Sequence, residues 1–367
     1  MRRLFLSVTF FAYLFIAPLA WGSHTKSGGL DWHGYGELHY NRPHDEPDVV
    51  DFHRMALGLD YRMSRRGSLH TAVDFDHAAE EIELAFSYLD FDISPRLILR
   101  TGLMLMPVGP FNEHHEPTLF YSVERPHLQE KVIPVLWNEG GIGLLGDTSF
   151  GMQYRFYVVS GLNASGFSAS NGIRGGRSRV TGGKGGAPIT GDDFAVVGRM
   201  EYGISGFRTG WSGYHGGAGQ GVASNTNVEV TILEGDIRYR LKGFNLSAIY
   251  AQVAIGNAEV LSAKKVGEKM SGWSGEVAYD FRAIMPRIVH KMLLQHMVLF
   301  IRKEGLNTQD AMPVGVSADP KHDLKITTYG LAFYPISDVA FKVDWENMEN
   351  GAGSNTETLN AGVAYLF

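Results

Sequence analysis

The chain has 367 residues, a formal net charge of −6 at pH 7 and no cysteine, so no disulfide can stabilise the fold and no nucleic-acid partner is expected. Its 45 glycines, 12% aromatic residues and mean hydropathy of −0.10 describe a chain too polar for a helical membrane protein. The composition favours a closed sheet in which apolar residues are spread over many alternating strands.

The first segment is typical of a secretory signal peptide. A charged pair, Arg2 and Arg3, precedes an uncharged run over residues 4–19, and residues 20–23 offer small side chains for cleavage. The alternative is a membrane anchor, but the run is shorter than the roughly 20 apolar residues that a spanning helix needs. We therefore predict a signal peptide over residues 1–22 and secretion to the periplasm.

The rest of the chain alternates between apolar and polar residues with period two, which predicts β-strands. Short polar or glycine-rich segments separate these runs. The predicted strands cover residues 30–41, 52–63, 68–77, 80–93, 96–106, 141–147, 151–160, 193–203, 206–215, 227–240, 244–254, 271–282, 291–303, 323–335, 339–348 and 356–367.

The length of each connection depends on whether the strand before it is even-numbered or odd-numbered. Those after even-numbered strands mostly have three or four residues, whereas those after odd-numbered strands are generally long. Bacterial outer-membrane barrels have short periplasmic turns and long extracellular loops. The pattern predicts an all-β, 16-stranded antiparallel transmembrane barrel over residues 23–367. A periplasmic β-sandwich or propeller is the alternative.

The last strand, LNAGVAYLF, ends with alternate apolar residues on one face, including Val363, Tyr365 and Phe367. This ending is similar to the closing strand of Gram-negative outer-membrane barrels, whose final aromatic residue is recognised by the barrel assembly machinery. We therefore assign Tyr365 and Phe367 as a candidate assembly signal.

If the apolar residues face lipid, the alternate residues line the interior. Acidic and basic side chains both occur there, and the simplest interpretation is that they pair with and solvate one another. A second hypothesis is that several arginines form one basic strip on the wall that favours anions, because guanidinium groups keep their charge and bind oxyanions. The strip would consist of Arg54, Arg96, Arg100, Arg155, Arg199 and Arg208.

The connection after the fifth strand, residues 107–139, is long and rich in aromatic residues and proline. Such a segment should pack against something. We predict that this third long loop folds into the lumen and forms a constriction; the alternative is a cap or trimer contact outside the pore. The candidate constriction residues are Glu113, His114, His115, Glu116, Glu124 and Arg125.

Two motifs that resemble ligand-binding sites do not support such a role. The GxGxxG match at residues 141–146 is followed by a turn and a strand instead of a helix. Adjacent histidines at 114 and 115 lack the spacing of a metal site and instead suggest a pH-sensitive constriction. No serine lies beside a plausible histidine and acid, so no catalytic residue, metal or cofactor is expected.

The sixteen alternating strands, the passage RTGLMLMPVGPFNEHHEPTLFYSVERP and the closing VAYLF resemble the phosphate-selective porin O and P superfamily. The resemblance implies a homotrimeric porin in the outer membrane of a Gram-negative bacterium, in contact with lipid and lipopolysaccharide. Small hydrophilic or anionic solutes would diffuse through it passively. The loop over residues 216–227 has no lysine, so no phosphate-site residue is transferred. An outer-membrane barrel enzyme or adhesin without an open pore is the alternative.

Overall fold

The fold is a closed antiparallel β-barrel, as predicted. The computed structural model describes residues 28–44, 46–177, 191–284 and 296–367, so the predicted signal peptide lies outside the described residues. Each strand pairs with its neighbours in sequence, and β1 pairs with β16. The strands are β1 Leu30–Pro43, β2 Val49–Arg62, β3 Gly67–Asp76, β4 Glu81–Ser94, β5 Leu97–Leu105, β6 Asn138–Asp147, β7 Met152–Ser160, β8 Phe194–Ile204, β9 Phe207–Gly217, β10 Glu229–Leu241, β11 Phe244–Gly256, β12 Lys269–Asp280, β13 His296–Ala311, β14 Asp323–Ile336, β15 Val339–Asn350 and β16 Asn355–Leu366.

Helices in the described residues are short and lie in the connections. None of them is long and apolar enough to cross a membrane. They comprise one α-helical turn, α1, at Leu128–Lys131, and 3-10 turns at Pro117–Leu119, Ala164–Gly166, Arg174–Gly176, Ala223–Asn225, Ala258–Lys264, Phe281–Ala283 and Pro320–His322.

The outer face of the barrel is apolar. Phe156 and Trp211 are each 55% exposed, whereas their chain neighbours Arg155 and Ser212 are buried. Successive residues of a strand point to opposite faces, so the polar residues of these pairs face the interior. This arrangement inverts the pattern of a soluble sheet and suits a barrel surrounded by lipid.

The strand boundaries agree with the sequence prediction to within a few residues, except in β13. The predicted strand ends at Lys303, whereas β13 continues to Ala311 because Lys269 and its neighbours in β12 supply backbone partners for it. At the end of β12, the predicted strand residue Arg282 instead lies in a turn, where its N–H donates to the Asp280 side chain.

The connections also sort as predicted. In the described residues, the turns after β2, β4, β6, β8, β10 and β14 are short, and the connections after odd strands include the two longest, from β5 to β6 and from β7 to β8. Both ends of the barrel chain therefore lie at the short-turn end.

The seam that closes the barrel joins β1 to β16. Gly34 and Phe367 exchange main-chain hydrogen bonds of 2.9 and 3.0 Å. A Cβ atom at Gly34 would lie 2.4 Å from the Ala56 carbonyl oxygen and 2.5 Å from the Phe367 ring. The absence of a side chain at Gly34 thus makes room for the Phe367 ring, and the same relation holds between Gly36 and Tyr365.

We expect Gly34→Ala to destabilise the folded barrel by about 1–3 kcal/mol, because backbone and ring must both move to admit the methyl group. Urea titration of the barrel in detergent, followed by the mobility shift between folded and heated protein, measures the effect. Gly213→Ala is the matched control, because a Cβ there meets no atom closer than 4.0 Å. Equal stability of the two variants would contradict this account of the seam.

Candidate functional site

The long connection between β5 and β6, here called L3 (residues 106–137), is mostly buried. One side of it is apolar and includes Met106, Leu128, Ile133 and Trp137. These residues belong to one buried cluster with apolar side chains from β7 to β14 and from the connections after β7 and β11. Burial of this much apolar surface holds L3 against that side of the barrel.

Polar residues of β13 and β15 bind the centre of L3. The Ser122 Oγ accepts a hydrogen bond of 2.7 Å from Arg302, and the Ser122 carbonyl accepts one of 2.9 Å from Lys342. The Val123 N–H donates to Asp344 at 2.6 Å. Charge-assisted hydrogen bonds of this kind are stronger than neutral ones, so they fix the centre of L3 in one position.

The start of α1 is held by Glu304 of β13. Its two carboxylate oxygens accept from the N–H groups of His127 at 3.3 Å and Leu128 at 3.0 Å. Arg302 in turn donates to Glu304 at 3.0 Å, so the buried carboxylate is compensated.

L3 also contacts β1, on the other side of the seam. Glu124 lies 2.9 Å from the His39 Nδ1 and accepts a hydrogen bond of 2.9 Å from Asn41. Arg125 lies 3.8 Å from Glu37. Two of the predicted constriction residues thus contact the wall at β1.

A third set of contacts involves β7 and β9. Glu113 lies 2.9 Å from Arg155, which also pairs with Glu201 of β8 at 3.1 Å. The Gly109 N–H donates to the Ser212 hydroxyl at 3.1 Å. Here a carboxylate of the loop faces an arginine of the predicted strip.

The six arginines of the predicted strip are not equivalent. Arg96 lies in the exposed turn between β4 and β5, since β5 begins at the next residue, and its nearest acid is Asp147 at 3.8 Å. Arg208 faces the interior and makes no ion pair with any carboxylate that the structure describes. The other four are buried beside acids, in the pairs Arg54–Asp76 at 2.8 Å, Arg100–Asp90 at 2.9 Å, Arg155–Glu201 at 3.1 Å and Arg199–Glu234 at 3.0 Å. Their charge is therefore largely compensated within the wall.

Two cavities adjoin L3 near the short-turn end of the barrel. The larger, about 650 Å³, lies against β1 to β5 and is lined by Glu113, His114, His115 and Glu116 among others. The smaller, about 430 Å³, lies against β8 to β12. Its charged lining is mainly basic and consists of Arg208, Arg238, Arg240, Glu276 and Arg302.

Sequence reasoning missed Arg302 and Glu304, which anchor L3. Both lie on the interior face of β13, next to Phe300 and Val298 on the same face. The first half of that strand is apolar on both faces, so the sequence does not show which of its residues face the interior. The positions of Arg302 and Glu304, which alternate with Ile301 and Lys303, were the available indication.

Two L3 histidines differ in charge. Burial and the nearby Arg125 lower the pKa of His115 to about 3, so it stays neutral at physiological pH. Burial also opposes the charge of His127, but its 3.0 Å hydrogen bond with Glu346 outweighs that effect and raises the pKa of His127 to about 9. The hypothesis of a histidine that titrates near pH 6 therefore does not fit His115.

Glu124 stays charged over the whole physiological range. Burial raises its pKa, but the hydrogen bond from His39 and its charge outweigh burial and lower the pKa of Glu124 to about 2. The stabilisation from this carboxylate is present above about pH 4.5 and is lost only as the pH falls through 2.

The contact of His127 with Glu346 predicts an alkaline transition. Its stabilisation of L3 is complete below the unfolded pKa of about 6.5 and is lost as the pH rises through 9. We expect the urea concentration that unfolds the wild-type barrel in detergent to fall between pH 8 and 10. His127→Gln should be less stable than the wild type at pH 7 and should lack this fall, whereas His215→Gln, at an exposed position of β9, should behave as the wild type. An identical pH profile for His127→Gln and the wild type would refute this role.

Comparisons with known proteins place the chain among porin-type barrels by fold. A comparison with protein families found no match. An uncharacterized protein of Aquifex aeolicus (strain VF5) is 26% identical over 379 residues, which cover 97% of this chain and 84% of that protein.

The solved structures similar to the chain include OmpF of Salmonella typhi in complex with daunomycin, with a TM-score of 0.61, 12% identity and coverage of 93% of this chain and 98% of that one. The outer-membrane channel DcaP of Acinetobacter baumannii has a TM-score of 0.59 at 8% identity, covering 94% and 99%. An anion-selective porin from Comamonas acidovorans has a TM-score of 0.58 at 9% identity, covering 93% and 100%. At these identities the likeness shows a shared barrel fold.

Proposed function

We propose that the chain forms a water-filled channel in a Gram-negative outer membrane, through which ions and small hydrophilic solutes diffuse passively. In this proposal L3 lies in the lumen and constricts it. The observation that carries the proposal is that L3 binds interior side chains of β1, β7, β13 and β15, which are distributed around the closed barrel.

The open route follows the polar side of L3. The apolar cluster fills the space between L3 and β7 to β14 at the long-connection end, where water gains no hydrogen bonds. Hydrated solutes would instead pass the two cavities beside L3, whose linings include charged residues such as Glu113 and Arg208. Specificity would come from size and charge at this constriction, with no covalent chemistry.

A weak anion preference is the finer part of the proposal. The compensated pairs of the predicted strip contribute little net field, so the preference is assigned to the smaller cavity, where Arg208 and Arg240 join Arg238. Arginine side chains offer both charge and a donor geometry suited to carboxylate and phosphate. Membership of the phosphate-selective porin O and P superfamily stays a prediction.

The assembly proposals rest on the resemblance. They are a homotrimer, contact with lipid and lipopolysaccharide, and recognition of Tyr365 and Phe367 by the barrel assembly machinery. The exposed apolar outer face supports insertion into a membrane.

A disulfide tests the position of L3. A Cβ atom at Gly362, on the interior face of β16, would lie 3.0 Å from the Val123 Cγ1 of L3. Disulfides join Cβ atoms about 3.5–4.5 Å apart. Since the chain has no native cysteine, we expect Val123→Cys with Gly362→Cys to form one intramolecular disulfide in the folded barrel, seen as a mobility change on reduction.

The matched control combines Val123→Cys with Gly213→Cys, because Gly213 lies on the outer face of β9 beside the interior residue Ser212. This pair should stay reduced. Failure of the Gly362 pair to oxidise, with the barrel folded, would exclude L3 from the lumen.

Planar-bilayer recordings test the channel and its selectivity. We expect stepwise openings, and a reversal potential in a KCl gradient that indicates a weak preference for chloride. Arg208→Ala should move the reversal potential toward cation preference, because no described acid compensates this charge. Arg96→Ala, in the exposed turn, should leave it unchanged.

The same recordings distinguish the proposed channel from the rival function. An outer-membrane barrel enzyme or adhesin would give a folded protein without stepwise conductance. Clear cation preference in the wild type would refute the anion preference and leave the channel itself intact.

A further inference from the structure

Three side chains of the types that can bind transition metals meet at the long-connection end of the barrel. Asp51 and His53 lie in β2, and His77 follows the last residue of β3. The Asp51 Oδ2 lies 3.0 Å from the His53 Nδ1 and 2.8 Å from the His77 Nδ1. One ligand atom from each of the three residues lies within 4.8 Å of the others.

The backbone holds this arrangement. The N–H of His77 donates to the His53 carbonyl at 3.0 Å, and the N–H of Ala78 donates to the Phe52 carbonyl at 3.0 Å. His77 has a φ of 50°, in the left-handed region that a non-glycine residue adopts uncommonly. This turn after β3 places the His77 ring beside the two β2 side chains.

The cluster also has an ordered second layer. The His39 ring stacks on the His53 ring with centroids 4.4 Å apart, and His39 itself contacts Glu37 and Glu124. The stacked His39 ring restricts the orientation of the His53 imidazole. His39 also connects the cluster to L3.

We propose that Asp51, His53 and His77 form a binding site for a divalent transition-metal ion such as Zn²⁺. Two imidazoles and one carboxylate are a ligand set that suits Zn²⁺, Ni²⁺ or Cu²⁺ better than Mg²⁺ or Ca²⁺, which prefer oxygen ligands alone. Water completes the coordination, as the half-exposed His77 leaves the site open to solvent. The proposal does not depend on whether the barrel conducts.

The ligand spacing is compatible with this assignment. Ligand bonds of about 2.0–2.1 Å at tetrahedral angles separate ligand atoms by roughly 3.3–3.4 Å. The 2.8 and 3.0 Å contacts therefore need an outward shift of only a few tenths of an ångström. The competing account is a carboxylate that accepts hydrogen bonds from two histidines and binds no ion.

Isothermal titration of the folded, full-length barrel in detergent with ZnCl₂ at pH 7.5, in a buffer that does not chelate, tests the site. We expect one saturable site per chain that is lost, or weakened at least tenfold, in both Asp51→Asn and His77→Gln. Both substitutions keep the side-chain size, and the folded-barrel mobility shift confirms that each variant folds. His215→Gln is the control, since this exposed histidine at the same end of the barrel forms its side-chain hydrogen bond with Thr231, and it should bind as the wild type does.

A Co²⁺ titration reads the coordination directly. Visible absorption bands of a low-symmetry Co²⁺ complex should appear with the wild type and with His215→Gln, and be absent with His77→Gln. Absence of saturable binding in the wild type, or binding by folded His77→Gln equal to that of the wild type, would overturn the proposal.

Discussion

The continuous ladder of main-chain hydrogen bonds, closed between β1 and β16, is the constraint on which the rest of the structure depends. A closed ladder satisfies the backbone groups of every strand without water, which is the condition for a sheet surrounded by lipid. Once that condition is met, the outer face is free to be apolar and the inner face must accommodate the polar half of each strand. The charged interior is thus a consequence of closure and period-two alternation together.

A charged interior needs compensation, and L3 supplies part of it. The wall alone pairs Arg54 with Asp76 and Arg100 with Asp90, but Arg155 receives Glu113 from the loop, and Lys342 donates to loop carbonyl groups. Removal of one member of such a buried pair leaves an uncompensated charge, which costs several kcal/mol. The stability of the charged wall therefore depends on the folding of L3.

The architecture could be predicted from the sequence because period-two alternation lies within each strand and the lengths of successive connections can be counted along the chain. The extension of β13 through the polar residues up to Ala311 could not, since it depends on a partner strand. The same limit applies to the site. The sequence singled out Glu113 as a residue of a loop that should pack against something, whereas the contact of Val123 with Asp344 joins residues 221 positions apart and depends on the register of the whole barrel.

Different forces hold the two sides of L3 in place. The apolar side, packed against β7 to β14, is held by burial and needs no charge, whereas Glu124 and Arg125 contact buried residues of β1 through ionic contacts that need both partners charged. Neutralisation of one of these partners would therefore release the β1 side of L3 first, while the apolar side stays in place. In the proposed channel, such a movement would change the width of the opening on the β1 side only.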